Sequence, residues 1–185
     1  MNSPKFKYGR GLGPSLHRWL FQNNALAWGY REFSWQSRSQ PDFLIIGSQR
    51  SGTTSLHAYL KQHPQIIPAI KKEIYFFDGG LDPDEDTYSK GESWYRAHFP
   101  KLKSIRKDQQ VFEATPLNIF NPLAPQRIAQ SIPKVKLIAI LRNPTERAIS
   151  HYFHEKWRGR ESLAILDAFI AEEYRLETIF KKQGL

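Results

Sequence analysis

A glycine-bounded segment, GSQRSGTT at positions 47–54, carries the first residues whose types suit chemistry. It follows the apolar run DFLIIG at 42–47 and precedes TTSLHAYLKQ at 53–62, whose apolar spacing predicts a helix with Leu56, Tyr59 and Leu60 on one face. A loop between a buried strand and a helix directs free backbone N–H groups and the positive end of the helix dipole at one point. The segment therefore predicts an anion site, and a plain glycine turn is the alternative.

The spacing of this loop resembles the P-loop pattern Gly-x-x-x-x-Gly-Lys-Ser/Thr, with one important difference. Thr53 stands where the P-loop has its lysine, which disfavours an NTPase. The cation lies inside the loop instead, as Arg50, whose planar guanidinium can donate two hydrogen bonds to one anionic group. Thr53 and Thr54 add hydroxyl donors.

A second strand-to-helix junction, LRNPTERAIS at 141–150, carries the next candidate residues. KLIAIL at 136–141 predicts a buried strand, and the segment 143–146 predicts a helix start with an asparagine N-cap and a proline at the first helical position. Arg142 ends the strand, where open parallel sheets bind ligands, and Ser150 follows about two helical turns later. Together they predict a second phosphate site; alone, Arg142 is equally typical of an exposed residue before a well-capped helix.

The remaining elements predict how these junctions are held. A further strand is expected at 111–114, helices at 94–99, 125–131 and 163–180, and an extended or turn segment at 71–78 with Tyr75, Phe76 and Phe77 in the core. Strands that alternate with helices indicate an α/β fold. We expect a P-loop-like, three-layer arrangement with a mostly parallel central sheet flanked by helices.

Composition limits the possible classes of protein. A length of 185 residues with 40% hydrophobic residues suits one domain, and the absence of cysteine excludes disulfides, thiolate metal sites and cysteine nucleophiles. We find no apolar run near the length of a membrane span and no signal peptide, so a cytoplasmic location is expected.

The charge predicts an anionic partner. The chain carries a net charge of +9, which suits a nucleotide, an acidic or sulfated sugar, a nucleic acid or an anionic membrane surface. Residues 1–40 contain six lysines and arginines against Glu32 alone. They are predicted to form a basic N-terminal arm, either on an acidic partner or as a solvated tail, ahead of a domain at 41–185.

Four segments in this order carry a family resemblance: GSQRSGTT after DFLIIG, then KEIYFFD at 72–78, EATP at 113–116 and RNPTERAIS at 142–150. The combination resembles the PAPS-dependent sulfotransferases, where PAPS is 3′-phosphoadenosine 5′-phosphosulfate, and most of all the heparan sulfate N- and O-sulfotransferases and their bacterial relatives. The resemblance covers roughly residues 41–155. It implies transfer of a sulfuryl group from PAPS to a hydroxyl or amine acceptor on a carbohydrate, without a metal.

The resemblance also implies roles for individual residues. Glu73 matches the family's catalytic base, and Arg50 would stabilise charge on the departing phosphate. Arg142 and Ser150 would bind the 3′-phosphate. The 5′-phosphosulfate would be bound by Arg50, Ser51, Gly52, Thr53 and Thr54. His57 and His151 are the next candidates for the base, and His151 with His154 is expected to lie at the surface rather than to bind a metal.

Two departures from the family pattern leave other functions open. Ala114 stands where the heparan sulfate enzymes usually have a lysine, and family domains continue beyond the last predicted helix, so we expect an incomplete domain. One alternative is a truncated, non-catalytic nucleotide-binding remnant. The other is a basic nucleic-acid-binding protein, which predicts steeply salt-dependent binding to generic duplex DNA.

Overall fold

A parallel four-stranded sheet lies at the centre of the described residues, 25–80 and 85–182 of this computed structural model. The strands are Phe43–Gly47 (β1), Ile66–Pro68 (β2), Gln110–Ala114 (β3) and Lys136–Ala139 (β4), in the order β2-β3-β1-β4. Within the sheet, Phe43 of β1 is aligned with Phe112 on one side and Lys136 on the other. Both predicted phosphate-binding junctions therefore leave adjacent strands at the same edge of the sheet.

Helices connect and cover these strands. They are Ala25–Phe33 (α1), Thr53–Leu60 (α2), Gly91–Arg96 (α3), Ala124–Ser131 (α4), Pro144–Trp157 (α5), Ile165–Ile170 (α6) and Glu172–Lys182 (α7). Short 3₁₀ turns lie at Trp35–Ser37, Thr87–Lys90, Leu102–Ser104 and Pro116–Ile119. The predicted start of α5 is confirmed, because the Asn143 side chain accepts a hydrogen bond from the Glu146 N–H at 3.2 Å and Pro144 follows it.

The two faces of β1 are covered by different groups of apolar residues. Alternate residues of a strand point to opposite faces. Phe43 and Ile45 pack with Phe112 and receive Leu56 of α2, whereas Leu44 belongs to a larger cluster with the buried aromatic side chains that follow Glu73 and with α3 and α4. The predicted three-layer, P-loop-like α/β fold is thus confirmed, and its sheet is entirely parallel.

The predicted burial of β4 is wrong. β4 is the last strand in the sheet order, so only one of its edges is paired, and all four of its residues are exposed. Leu137 is 53% and Leu141 73% exposed. A run of apolar residues alone does not distinguish a central strand from an edge strand, because strand order depends on the rest of the chain.

Several other expectations differ from the structure in detail. The helix predicted at 163–180 is two helices that break at Ala171, a good helix former that gives no local signal of the break. Helix α3 lies earlier than the predicted 94–99, and the short strand β2 was not predicted. Tyr59, expected on the buried face of α2, is 70% exposed because Leu56 and Leu60 alone reach the core.

Part of the predicted basic arm packs on the domain. Arg31 Nε donates to the Ala97 carbonyl at 2.6 Å, and Arg38 Nη1 donates to the Phe99 carbonyl at 3.0 Å. Trp28 lies edge-on to His98, with 4.8 Å between the ring centres. Residues 1–24 of the arm lie outside the described residues, so the division at residue 40 stays a prediction.

The helices do not have membrane-spanning character. None of those in the described ranges is both long and apolar enough to cross a bilayer.

Candidate active site

The loop between β1 and α2 has the backbone that a phosphate-binding turn requires. Gly52 precedes α2 with φ 97°, a conformation that favours glycine, and no side chain caps the helix. The first N–H groups of α2 are therefore directed at the space above the loop. Gly47 is also required, because a Cβ there would lie 2.3 Å from Ile119 Cγ2.

Both predicted junctions open into one cleft of about 350 Å³ at the carboxyl edge of the sheet. The cleft is lined by residues from the predicted phosphate-binding loop at 47–54 (the phosphate loop) and the start of α2, from the KEIYFFD segment, from the turn Pro116–Ile119, and from the β4–α5 junction, α5 and the turn that follows it. These residues are Gln49, Arg50, Gly52, Thr53, Thr54, Ser55, Glu73, Tyr75, Pro116, Arg142, Ser150, His154, Arg158 and Arg160. Every residue predicted for the site lines this cleft except Ser51. The Ser51 hydroxyl instead shares a 2.6 Å hydrogen bond with that of Ser48.

Arg50 connects the two junctions. Its Nε donates to Ser150 Oγ at 3.2 Å, and its Nη1 donates to His154 Nδ1 at 3.3 Å. His154 accepts this bond as a neutral imidazole. Its pKa is lowered by burial and by the positive charges of Arg158 and Arg50. Arg50, the cation of the loop, is thus in direct contact with Ser150, the residue predicted to bind the 3′-phosphate.

Arg142 lines the cleft but has a partner of its own. Its Nε donates to Glu146 Oε2 at 3.1 Å, one helical turn into α5, and both side chains are substantially exposed. An exposed pair of this kind contributes about 0–1 kcal/mol. A phosphate in the cleft can therefore replace Glu146 as the partner of Arg142 at little cost.

Glu73 is held in the cleft by three hydrogen bonds. Its backbone N–H donates to the Ala114 carbonyl at 2.9 Å, and its carboxylate accepts bonds from the Lys72 ammonium and the Tyr75 hydroxyl. Burial alone raises the pKa of Glu73, but the bonds from Lys72 and Tyr75 outweigh it and lower this pKa below its usual value. Glu73 is therefore ionised at neutral pH, a state in which its carboxylate is able to accept a proton.

Tyr75, which we expected in the core, lies in the cleft instead. Phe76 and Phe77 are buried as predicted, but Tyr75 has φ 60° and turns its hydroxyl toward Glu73. Burial and the neighbouring Glu73 carboxylate raise the pKa of Tyr75 well above its usual value. Tyr75 therefore remains a hydrogen-bond donor at neutral pH.

Backbone strain is concentrated around the same cleft. Among the described non-glycine residues, Arg50, Glu73 and Tyr75 have positive φ values of 67°, 61° and 60°, and all three line the cleft. Such conformations cost about 1–3 kcal/mol each and persist where the surrounding structure holds them, commonly at active sites. The strain is a second observation that favours this cleft as the candidate functional site.

Two acids outside the residues that line the cleft are buried. Glu113 accepts hydrogen bonds from the Tyr95 hydroxyl at 3.1 Å and from Thr115, and burial raises its pKa to about 7. Burial likewise raises the pKa of Asp78 to about 6. Glu113 is 2% exposed and is not among the residues that line the cleft.

The alternative bases are not among the residues that line the cleft. The His57 ring packs 5.2 Å from the Phe112 ring, and His151 lines a separate cavity between α5 and α6. Sequence reasoning gave no role in the cleft to His154, Arg158 or Arg160. The sequence signal for this turn is Gly159, which lies between Arg158 and Arg160 just after the basic C-terminal end of α5. The described residues contain no group of three side chains suited to hold a metal ion.

Comparison with known proteins agrees with this geometry. Residues 41–117 match the model of the sulfotransferase family. The membrane-associated sulfotransferase kil1 of Dictyostelium discoideum is 40% identical over 121 residues, which are 65% of this chain and 24% of that protein. The bifunctional heparan sulfate N-deacetylase/N-sulfotransferase 4 of Mus musculus is 39% identical over 121 residues, 63% of this chain and 13% of that protein.

A solved structure shows the same fold. The crystal structure of a sulfotransferase from Alicyclobacillus acidocaldarius matches with a TM-score of 0.62 and 32% identity, over 76% of this chain and 60% of that one. These similarities confirm the resemblance predicted from the motifs: residues 41–117 match the sulfotransferase family, and the fold matches that of a bacterial sulfotransferase. The chain spans 24% and 13% of the lengths of the two curated relatives.

Proposed function

We propose that the chain transfers a sulfuryl group from PAPS to a hydroxyl or amine of a carbohydrate acceptor. One observation carries this proposal: a single cleft contains the phosphate loop, the Arg142–Ser150 junction and the ionised carboxylate of Glu73. The two anion sites suit a nucleotide phosphorylated at both ends, and the carboxylate suits proton removal from an acceptor.

The residues of the cleft fit the donor. Arg50 and the N–H groups at the start of α2 would bind the 5′-phosphosulfate, with Thr53 and Thr54 as hydroxyl donors. Arg142 and Ser150 would bind the 3′-phosphate. Since Arg50 already contacts Ser150, the two phosphate sites are close enough for one nucleotide to occupy both.

The proposed reaction is an in-line displacement at sulfur. The acceptor oxygen or nitrogen forms a bond to sulfur while the bond from sulfur to the 5′-phosphate oxygen breaks. The acceptor proton passes to a Glu73 carboxylate oxygen, and the electron pair of the broken bond stays on the phosphate. Arg50 and the loop N–H groups stabilise that charge, as preorganised donors do in phosphoryl transfer.

A non-catalytic remnant or a nucleic-acid-binding protein is less well supported. Binding a nucleotide needs the two anion sites but gives no reason to hold a carboxylate among them in a strained backbone conformation. Duplex DNA needs a broad basic face, whereas Arg50, Arg142 and Arg158 line a concave cleft. The cytoplasmic location and the absence of a metal requirement stay predictions.

Calorimetric titration with adenosine 3′,5′-bisphosphate tests the donor site. We expect saturable binding of one nucleotide per chain, weaker binding of 5′-AMP, and no competition from duplex DNA. Failure of the bisphosphate to bind, or equal affinity for 5′-AMP, would contradict the proposal.

A further inference from the structure

The backbone of Tyr75 is held in a conformation that tyrosine does not favour. Its φ is 60°, and that of Glu73, two positions earlier, is 61°. A residue with a Cβ is crowded in this region, so the conformation persists only where neighbouring groups hold it. From this conformation the Tyr75 hydroxyl donates to the Glu73 carboxylate. The groups that hold the Tyr75 backbone therefore also set the position of this donor.

Two threonines bind the main-chain groups of Tyr75, one on each side of its Cα. The Tyr75 N–H donates to Thr115 Oγ1 at 3.4 Å, and the Tyr75 carbonyl accepts a hydrogen bond from the Thr87 hydroxyl. Tyr75 lies in no helix or strand, so no regular backbone ladder supplies these bonds. The two threonine side chains thus take the place of main-chain partners.

Thr115 is a fixed acceptor at the end of β3. It is 1% exposed, its N–H donates to the Ile45 carbonyl of β1 at 3.1 Å, and its hydroxyl donates to the Glu113 carboxylate. Because the hydroxyl hydrogen is directed at Glu113, the lone pairs of Oγ1 remain for the Tyr75 N–H. Solvent has almost no access to Thr115, so water would not replace its hydroxyl as the partner of Tyr75.

Thr87 is anchored in a different part of the chain. Its N–H donates to the Gly79 carbonyl at 2.9 Å, and it begins the 3₁₀ turn Thr87–Lys90. Thr87 is half-buried, so water has partial access to its side chain. Its removal is therefore expected to disturb Tyr75 less than the removal of Thr115.

We propose that Thr115 and Thr87 are positioning residues. By holding Tyr75 at positive φ, they keep its hydroxyl on Glu73, and the inference rests on the proposed function only in taking Glu73 as the base. Neither threonine is among the residues that line the cleft, so neither would contact the donor or the acceptor. Each acts on Glu73 only through Tyr75, which distinguishes positioning from a general effect on the fold.

The pKa of Glu73 reports this positioning without any sulfuryl transfer. Burial raises that pKa, while Lys72, Tyr75 and Arg158 lower it, so loss of the bond from the tyrosine hydroxyl must raise it. The pKa is measured on the whole chain by NMR titration of isotope-labelled glutamate carboxyl carbons. The resonance that is missing from Glu73→Gln identifies Glu73.

Variants of the two threonines give the expected result. Thr115→Val replaces the hydroxyl by a methyl group of similar size, and we expect it to raise the Glu73 pKa by most of the shift that Tyr75→Phe produces. Thr87→Val should raise this pKa by a smaller part, and it provides the same test if Thr115→Val does not fold. Thr115→Ser and Thr87→Ser keep the hydroxyl and should retain the wild-type pKa of Glu73.

A double variant shows whether Thr115 acts through Tyr75. Thr115→Val combined with Tyr75→Phe should raise the Glu73 pKa no further than Tyr75→Phe alone. Tyr95→Phe is the matched control, because it removes the other hydroxyl that donates to Glu113, at 3.1 Å, and leaves the bond from the Tyr75 N–H in place. This control should leave the Glu73 pKa unchanged.

Three results would overturn the inference. They are a Glu73 pKa that is unchanged in both valine variants, a further rise in the double variant, and a rise in Tyr95→Phe equal to that in Thr115→Val. The titration does not depend on the nucleotide. A chain that shows the expected pKa shifts but does not bind adenosine 3′,5′-bisphosphate would contradict the proposed function and support the positioning of Tyr75.

Discussion

Arg50 of the phosphate loop donates a hydrogen bond to Ser150, one hundred positions further along the chain, with 3.2 Å between Nε and Oγ. The contact exists because β1 and β4 are neighbours in the sheet, so that the loop after one strand faces the helix after the other. It brings the two predicted anion sites into one cleft, and the proposed donor site depends on it.

The planar guanidinium group of Arg50 should not be replaceable by another cation. Arg50→Lys keeps the positive charge but cannot contact Ser150 and His154 with two nitrogens in a fixed plane. We expect the affinity for adenosine 3′,5′-bisphosphate to fall by about tenfold or more, measured by calorimetry. An Arg50→Lys protein with wild-type affinity would show that only the charge matters.

Arg142 should discriminate nucleotides that carry a 3′-phosphate. Arg142→Ala is expected to lower the affinity for the bisphosphate by roughly tenfold or more and to leave that for 5′-AMP nearly unchanged, because it removes a charge-assisted bond to one phosphate. Glu146→Gln is the matched control, since it frees Arg142 from its exposed partner and should leave bisphosphate affinity equal or higher. If Arg142→Ala loses affinity equally for the bisphosphate and for 5′-AMP, Arg142 does not contact the 3′-phosphate.

Tyr75 should set the acid limit of activity. The pKa of Glu73 is lowered partly by the bond from the Tyr75 hydroxyl, and the proposed base acts only when ionised. Activity is therefore lost as the pH falls through this pKa. Tyr75→Phe removes the donor, so the pKa of Glu73 rises and the acid limb of the pH–rate profile moves to higher pH. If the acid limb of Tyr75→Phe lies at the same pH as that of the wild type, Glu73 is not the titrating group.

Glu113 should make stability depend on pH. Its pKa is raised to about 7 in the folded protein by burial, above the ordinary value for a glutamate, so the folded state binds the proton more tightly than the unfolded state. The resulting stabilisation is present at low pH and is lost as the pH rises toward and through about 7. Glu113→Gln cannot ionise, so the free energy of unfolding of the wild type, relative to this variant, should decrease between about pH 5 and pH 8 in chemical denaturation. If the difference in the free energy of unfolding does not vary with pH, the raised pKa of the buried Glu113 carboxyl is contradicted.

Local signals were sufficient to predict the two phosphate-binding junctions. These signals are the glycines at 47 and 52 and the helix cap at 143–146, each of which acts on the backbone within a few residues. The structure places Arg50, Thr53, Arg142 and Ser150 around one cleft, as expected from their positions at the ends of adjacent strands. The parallel sheet followed from the alternation of strands and helices.

What the sequence did not predict depends on distant parts of the chain. The exposure of β4 follows from its place at the end of the sheet order. Tyr75 was predicted in the core as part of an aromatic run, and nothing in that run signals the positive φ with which it lies in the cleft. The break at Ala171 has no local signal in the sequence, because alanine is a good helix former. The arginines at 158 and 160 become significant only once the turn after α5 is known to line the same cleft as Glu73.

The most direct test of the account is transfer of labelled sulfuryl from PAPS to an N-unsubstituted, O-sulfated polysaccharide by the wild-type chain and by Glu73→Gln. The amide keeps the size of the side chain but cannot take the proton, so we expect transfer by the wild type and a loss of about two to four orders of magnitude in turnover for the variant, with bisphosphate affinity nearly unchanged. Glu85→Gln, which alters an exposed carboxylate paired with Lys90, serves as the control and should retain full activity. Undiminished transfer by Glu73→Gln, or a wild-type chain that binds the nucleotide but transfers no sulfuryl group, would contradict the account.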